Sequence, residues 1–365
     1  MKVLIISHSG IGGAEIYAES LYQTLKKLGI MTLHITNTSQ LMDIYKSNTL
    51  SKGWIVDIHL TRPLNLIKTI LLSSNKYTRI LSIHGLMRAH LLNEFLMVRI
   101  HDVNMFLSPE GLLKTIGWHV CIPPVLSFIL RECDCVINVT QRDMHLIRVL
   151  GFKKPIFTVW GGARDIFFSM SRLRMAQNRY NLLYVGKFEP TKGIWQLLRA
   201  LSLLRFPKIR LIVVSRGAFI YERLFYKFVK KLGLQHKVFA FKGLSLKDLA
   251  LLYRTSDLFI FPSFCEGMPL SVIEALANGL PVITTPAGDL ENLIKLSKAG
   301  VVITSSKSFA DPKLIASAVE AVLNEPYLLK YYSENAMSYA KRYLTWDFVT
   351  KRRLAIYKVM EILKN

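Results

Sequence analysis

The sequence predicts an α/β protein made of two doubly wound, Rossmann-like domains in tandem. Short apolar runs alternate with helical stretches, the alternation is interrupted once by the polar and basic residues 169–181, and it then restarts. Repeated strand–helix alternation is typical of a parallel sheet covered by helices. We therefore expect one domain over residues 1–168, a second over residues 169–345, and a last helix over residues 346–365.

The strands are predicted from apolar runs that polar residues or glycines bound. In the first domain these runs are KVLIIS, MTLHIT, WIVDIHL, RILSIHG, DCVINV and PIFTVW. In the second domain they are LLYVG, IRLIVV, KVFAFKG, DLFIFPS, LPVITT and GVVIT. The last segment, WDFVTKRRLAIYKVMEILKN, has the pattern of one amphipathic helix. Ligands bind at the carboxyl ends of parallel strands, so functional residues are expected in the loops after the strands, in a cleft between two facing domains.

The composition is that of a basic globular chain. The 365 residues include 48 Lys and Arg against 25 Asp and Glu, which gives a formal net charge of +23, and 51% of the residues are hydrophobic. The apolar content is sufficient for two cores, and the charge favours anionic partners. No nucleic-acid-binding motif accompanies the charge, so we expect no nucleic acid partner and favour phosphorylated metabolites or an acidic lipid surface.

Several sequence features bear on location. The four cysteines include no CxxC pair and no disulfide framework. The first residues, MKVLIISHSG, become polar too early for a signal peptide, and the most apolar segment, residues 115–130, is broken by two prolines. We therefore expect a cytoplasmic protein. The apolar region 86–130 has two interpretations: core with a helical hairpin, or a face that contacts the cytoplasmic side of a membrane or a lipid-linked substrate.

Two loops of the first domain carry candidate ligand groups. Gly10, Gly12 and Gly13 separate the first strand from the first helix, where small residues let a ligand approach the backbone. Their spacing is not GxGxxG, and the second strand ends at Asn37 instead of an acid that could hold a ribose, which disfavours a dehydrogenase. A tight packing turn and a ligand loop both fit these glycines. His84 ends a strand, where it either donates to a sugar or phosphate or serves as a half-buried structural residue.

The second domain has a basic loop after its first strand. Lys187 and Lys192 lie in the segment YVGKFEPTKGI. Two lysines at the mouth of a strand favour a phosphate site. A solvated basic loop fits the same residues, because lysine is abundant throughout this chain.

The segment FCEGMPLSVIEALANGLPV places one glutamate before a short apolar helix and another within it. Buried carboxylates are costly unless they are paired, so Glu266 and Glu274 either face water or bind something. Ser271, Glu274 and Asn278 have helical spacing, which fits one solvated stripe. However, this helix begins with Pro269 directly after a strand and offers its first amides to an anion. These amides belong to Gly267, Met268 and Leu270.

Taken together, these residues resemble glycosyltransferase family 4, the retaining enzymes of the GT-B fold. The most specific part is EGMPLSVIEALANGLPVITT, in which seven residues separate the two glutamates. GGAE, HG, VGKFEPTKG and FKG occur in the expected order, and the resemblance covers nearly the whole chain. It implies two Rossmann-like domains that face each other across a cleft, with the C-terminal helix crossing back to the first domain.

The resemblance also implies a reaction. A hexose-type sugar is transferred from a nucleotide-diphosphate sugar to a hydroxyl of a lipid-linked, polysaccharide or protein-glycan precursor, with no metal and no cofactor. A different class of function shares the basic charge, namely a catalytically inactive GT-B protein that binds anionic membrane or nucleic acid. Turnover of a nucleotide sugar that depends on Glu266 and Glu274 discriminates between the two.

Individual roles follow from the resemblance. It implies that Glu274 holds the ribose hydroxyls, that Glu266 contacts the donor sugar, and that Lys187 and Lys192 neutralise the departing diphosphate. His84 contacts the transferred sugar or a phosphate. The predicted catalytic residues are therefore Glu266, His84, Lys187 and Lys192. The predicted donor-binding residues are Gly12, Gly13, Gly186, Gly243, Gly267, Met268, Pro269, Leu270 and Glu274.

Three positions depart from the family pattern. Lys187 stands where the family usually has arginine, which keeps the charge without the bidentate fork. Gly161 and Gly162 replace the usual Asn-Gly pair, and Arg216 lies within a loop that is usually rich in glycine. These departures concern the fine geometry of the donor site, whereas the strand–helix pattern of both domains is complete.

Overall fold

The computed structural model describes two compact units of the chain. The first comprises Met1–Gly161 and Trp346–Asn365, and the second comprises Gly162–Thr345. The described residues are 1–7, 13–36, 54–60, 78–83, 127, 130–131, 133–168, 179–206, 208–215, 219–264, 266–304 and 310–364.

The first unit is built on a parallel sheet with the strand order β2-β1-β3-β4-β5-β6. Its strands are β1 (Lys2–Ile6), β2 (Met31–Ile35), β3 (Trp54–Leu60), β4 (Thr78–Ile83), β5 (Cys135–Asn138) and β6 (Ile156–Thr158). The helices within its described part are α1 (Gly13–Lys27), α2 (Gln141–Val149) and α10 (Trp346–Lys364). Each apolar run predicted for the first domain overlaps one of these strands.

The C-terminal helix α10 is held against the first sheet by a buried polar cluster. Arg353 and Asp57 are fully buried, and the guanidinium Nη1 lies 2.5 Å from Asp57 Oδ2. Arg353 Nε donates to the Tyr17 hydroxyl at 3.1 Å, and Tyr357 donates to the same carboxylate. Removing one partner of such a buried pair leaves the other charge unpaired, which strongly destabilises a fold. Helix α10 therefore belongs structurally to the first unit.

The second unit is also built on a parallel sheet, with the order β12-β11-β10-β7-β8-β9. Its strands are β7 (Tyr180–Val185), β8 (Ile209–Val214), β9 (Val238–Phe241), β10 (Leu258–Phe261), β11 (Val282–Thr284) and β12 (Gly300–Val302). The helices in its described part are α3 (Ile194–Leu203), α4 (Phe219–Lys231), α5 (Leu246–Thr255), α6 (Leu270–Ala277), α7 (Leu290–Ser297), α8 (Pro312–Asn324) and α9 (Pro326–Tyr343).

The boundary between the units lies earlier than residues 168 and 169, where the break in the pattern placed it. The amide of Ala163 donates to the carbonyl of Leu344 at 2.8 Å. Phe167, in the short 3-10 turn Asp165–Phe167, packs edge-on against Tyr253 with 5.7 Å between ring centroids. Residues 162–168 therefore belong to the second unit, although their sequence continues the pattern of the first domain.

The strand order of the second sheet defines where its ligand edge lies. The chain runs outward from β7 through β8 to β9 on one side and from β10 through β11 to β12 on the other. Strands β7 and β10 are neighbours at the point where the order reverses. Sheets of this kind bind ligands at the carboxyl ends of the strands at such a switch point. The loops that follow β7 and β10 contain the predicted residues Lys187, Lys192 and Glu266.

Candidate functional site

The two loops at the switch point bring Lys192 and Glu266 into direct contact. Lys192 Nζ lies 2.5 Å from Glu266 Oε1, and both side chains are 8% exposed. Ser263, which follows β10, donates its hydroxyl to the same oxygen at 2.6 Å. A buried ion pair with an added hydrogen bond fixes the carboxylate in one orientation. The structure thus joins a predicted phosphate-binding cation and a predicted sugar-binding acid in one cluster.

The backbone locks these two loops together. The carbonyl of Thr191 accepts from the amide of Phe264 at 2.9 Å and lies 3.0 Å from the hydroxyl oxygen of Ser263. Gly193 has a φ of +68°, and a Cβ at this position would lie 1.9 Å from the carbonyl oxygen of Pro262. Only glycine can adopt this left-handed backbone conformation and also leave room for the carbonyl of Pro262. The position of Lys192 is therefore set by its neighbours.

Tyr184, near the end of β7, holds the backbone of the basic loop that contains Lys187 and Lys192. Its buried hydroxyl donates to the carbonyl of Lys187 at 3.0 Å and lies 3.4 Å from the carbonyl of Lys192. Burial raises the pKa of the Tyr184 hydroxyl well above its ordinary value, so it remains a donor. A Cβ on Gly186 would lie 2.8 Å from this hydroxyl, which explains a glycine at the predicted position.

Lys187 lies apart from the buried cluster. Its side chain is 51% exposed, and its ammonium is 3.3 Å from Glu189 Oε1. The two predicted lysines therefore differ: Lys192 is buried against an acid, whereas Lys187 is a solvated loop residue in this structure. The predicted diphosphate contact of Lys187 stays a prediction.

The loop after β10 leads into helix α6 as the sequence indicates. Gly267, Met268, Pro269 and Leu270 are half-buried, and α6 begins at Leu270 with Pro269 as its N-cap. A Cβ on Gly288 would lie 2.1 Å from the carbonyl oxygen of Gly267, so the following loop packs tightly on this segment. Anion binding by the amides of Gly267, Met268 and Leu270 stays a prediction.

Glu274 lies inside α6 and is buried. Glu274 is 7% exposed and Asn278 is 1% exposed. The interpretation of a solvated stripe is therefore wrong at these two positions. Glu274 Oε1 is 3.5 Å from Arg164 Nη2, and Oε2 accepts from the Tyr253 hydroxyl at 3.2 Å. Burial raises the pKa of the Glu274 carboxyl to about 7, and the Arg164 charge and the Tyr253 hydrogen bond oppose this rise.

Of the remaining predicted residues, the structure describes Gly13 and Gly243. Gly13 is the exposed first residue of α1, in the first unit. Gly243 is exposed beyond the edge strand β9 and has a φ of +63°, a conformation that favours glycine. Gly12 and His84 lie outside the described residues.

Sequence reasoning missed four side chains that shape the site: Tyr184, Ser263, Arg164 and Tyr253. Ser263 precedes Glu266 by one short turn, so its proximity to the acid was a usable local signal. Arg164 is 110 positions from Glu274, and no periodicity relates the two. Such contacts become visible only when the fold brings the segments together.

In the part of the chain that the structure describes, no group of three or more His, Cys, Asp and Glu side chains could hold a metal ion. Within the same ranges, no helix is both long enough and apolar enough to cross a membrane. Metal independence and contact with a membrane surface stay predictions.

Comparison with known proteins relates the second unit to sugar transfer. Residues 165–339 match the family described as Glycosyl transferases group 1. An uncharacterized glycosyltransferase of Methanocaldococcus jannaschii is 29% identical over 186 residues, which are 50% of this chain and 46% of that protein. Mannosylfructose-phosphate synthase of Agrobacterium fabrum is 32% identical over 203 residues, 50% of this chain and 43% of that protein. The chain thus spans about half the length of the curated relatives it matches.

Solved structures establish the fold. Sucrose-phosphate synthase from Thermosynechococcus elongatus superposes with a TM-score of 0.77 and 17% identity over 100% of both chains. Anabaena HepE in complex with UDP-glucose gives a TM-score of 0.72 with 15% identity, covering 98% of this chain and 100% of that one. The predicted GT-B fold of two Rossmann-like domains is confirmed. The matched family and these relatives are described as glycosyltransferases, so the chain is similar to proteins of that class.

Proposed function

We propose that this chain is a retaining glycosyltransferase of family 4, which transfers a hexose-type sugar from a nucleotide-diphosphate sugar to an acceptor hydroxyl. The observation that carries the proposal is the cluster of Lys192, Glu266 and Ser263 at the switch point between β7 and β10. The cluster lies within residues 165–339, the region that matches the group 1 glycosyl transferases.

Lys192 supplies the electrostatic part of the proposed reaction. When the sugar–phosphate bond breaks, negative charge grows on the leaving diphosphate, and a fixed cation nearby stabilises that charge more than the ground state. Burial strengthens this effect, because screening by water is weak at a side chain with 8% exposure. The ion pair with Glu266 keeps the ammonium at the strand mouth before a donor arrives.

Glu266 and Glu274 supply the acceptor groups for the two ends of the donor. Lys192 and Ser263 hold Glu266 Oε1, whereas among the described residues no partner bonds Oε2, which leaves that oxygen for sugar hydroxyls. Glu274, buried in α6, offers a carboxylate to the ribose hydroxyls. The HepE structures contain UDP and UDP-glucose, which supports a nucleotide sugar as the donor here.

A donor screen tests this proposal. The purified protein is incubated with a panel of nucleotide sugars in the presence of EDTA, because we propose that no metal takes part, and nucleotide release and thermal shift are recorded. We expect one donor to stabilise the protein and to turn over. Glu274→Ala should lose both effects, and Glu334→Ala, which alters an exposed acid on α9, should keep both.

The opposite result identifies a binding protein. If no donor stabilises the protein while vesicles rich in anionic lipid or a nucleic acid duplex bind it tightly at low salt, the catalytic assignment fails. The net charge of +23 then explains the binding without any transferase activity. Binding of vesicles together with donor turnover supports our further proposal that the enzyme works at the cytoplasmic face of a membrane.

A further inference from the structure

The side chains of Arg164 and Tyr253 hold the carboxylate of Glu274, and both contact the ring of Phe167. Arg164 approaches one carboxylate oxygen at 3.5 Å, and Tyr253 donates to the other at 3.2 Å. The guanidinium of Arg164 also lies over the ring of Phe167, 5.6 Å from its centroid, and that ring packs edge-on against Tyr253. Arg164 and Tyr253 thus support each other through Phe167 while each holds one oxygen of Glu274.

We propose that Arg164 and Tyr253 are positioning residues, which keep Glu274 ionised and in one orientation for the hydroxyls of the bound nucleotide sugar. The inference rests on the proposed function, because it assigns Glu274 to a ligand. A carboxylate oxygen accepts more than one hydrogen bond. Each oxygen can therefore keep its protein partner and still accept from a ligand hydroxyl.

Few charged or titratable groups lie near the Glu274 carboxylate in the described part of the chain. Arg164 is the cation, and Tyr253 on α5 is the titratable hydroxyl that bonds the carboxylate. The adjoining strands β10 and β11 present apolar residues apart from Thr284. Helix α9 packs beside the end of α6 through Ser333 and Met337, both uncharged. Among the described residues, the cation that opposes the burial of Glu274 is therefore Arg164.

Tyr253 suits both protonation states of the acid. Its hydroxyl lies 3.0 Å from the carbonyl of Ser271 and 3.2 Å from Glu274 Oε2. One hydroxyl carries one hydrogen. With ionised Glu274, that hydrogen serves the carboxylate; with protonated Glu274, it serves Ser271 while the acid donates to the Tyr253 oxygen. Only in the ionised state can both carboxylate oxygens accept hydrogen bonds from a ligand diol while they keep their protein partners.

The pH dependence of donor affinity tests this inference. Calorimetry measures the Kd of UDP-glucose, or of the donor found in the screen, between pH 6 and 8.5, where the sugar-linked diphosphate does not change its charge. For wild type we expect the affinity to rise with pH through about 7. Arg164→Met should move this midpoint up by about one pH unit, weakening binding roughly fivefold at pH 7 and much less at pH 8.5. Arg164→Lys should restore most of the wild-type midpoint.

Control variants and a second test variant distinguish failure of this inference from failure of the proposed function. Arg342→Met, which removes an exposed arginine on α9, and Tyr180→Phe, at the start of β7, should leave the midpoint unchanged. If Arg164→Met does not fold, Tyr253→Phe makes the same test by removing a donor from the carboxylate. A midpoint that stays at the wild-type pH, with affinity lowered equally at every pH, overturns the inference. If wild type binds no nucleotide sugar at any pH, the proposed function itself fails.

Discussion

Glu274 combines burial with a charged partner, so its protonation is linked to folding. Its pKa rises from 4.5 to about 7 in the folded protein because burial disfavours the charged form. The folded state therefore holds this proton more tightly than the unfolded state. The stability contributed by this group is fully present below pH 4.5 and is lost as the pH rises through about 7.

Glu274→Gln should abolish that loss. Relative to wild type, we expect the variant to gain about 1–3 kcal/mol in the free energy of unfolding between pH 5 and pH 8. Urea unfolding of both proteins at the two pH values measures this gain, and Glu334→Gln on the surface should gain nothing. Equal pH dependence of Glu274→Gln and wild type would show that the carboxyl titrates at an ordinary pKa.

The sequence draws attention to Glu266 and Glu274 because acids are rarely fully buried, and these two lie in an otherwise apolar segment. It does not identify their partners. The local sequence pattern around Arg164, Tyr253 and Tyr184 predicts a strand, turn or helix but does not predict which side chains these residues contact. The sequence also grouped Lys187 with Lys192, whereas the structure separates them, since one faces Glu189 in solvent and the other faces Glu266 in the interior.

At the scale of elements, the switch point depends on a close crossing of two loops. Gly193 combines a φ of +68° with an approach to the carbonyl of Pro262 that leaves no room for a side chain. The same residue ends the 3-10 turn Pro190–Lys192 and caps α3. Its conformation therefore connects the position of Lys192 to the start of a helix.

Gly193→Ala should destabilise the second unit and weaken donor binding together. We expect a loss of at least about 2 kcal/mol in the free energy of unfolding, because the left-handed backbone and the clash both oppose a Cβ. Gly233→Ala is the matched control: its φ is +66°, but no atom lies within 4 Å of the added carbon. It should lose only about 1 kcal/mol and keep donor affinity. Equal losses in urea unfolding would contradict the role of the crossing.

The strands themselves were predictable in detail. WIVDIHL and IRLIVV match β3 and β8 residue for residue, because each run begins and ends with an apolar residue and is rich in β-branched residues. DLFIFPS was too long, since β10 ends at Phe261, directly before a proline that has no amide for the ladder. The unit boundary was missed because the contact of Ala163 with Leu344 joins residues that are distant in sequence.

At the scale of the whole molecule, each of the two units is built on its own parallel sheet. Helix α10 is tied into the first unit by Arg353 and Asp57, so both ends of the chain belong to one unit. The GT-B fold alone does not specify a sugar or an acceptor. What the second unit adds is the buried pair of Lys192 and Glu266 at its switch point, and the proposed activity depends on this pair.

Turnover by a Lys192→Gln variant tests that central claim most directly. Glutamine can still hydrogen-bond to Glu266 but carries no charge for the departing diphosphate. We predict that kcat for the identified donor falls by about 100-fold or more, while Lys295→Gln, on the exposed face of α7, turns over at the wild-type rate. A folded Lys192→Gln variant, verified by circular dichroism, with wild-type kcat would contradict the assignment of this cluster to sugar transfer.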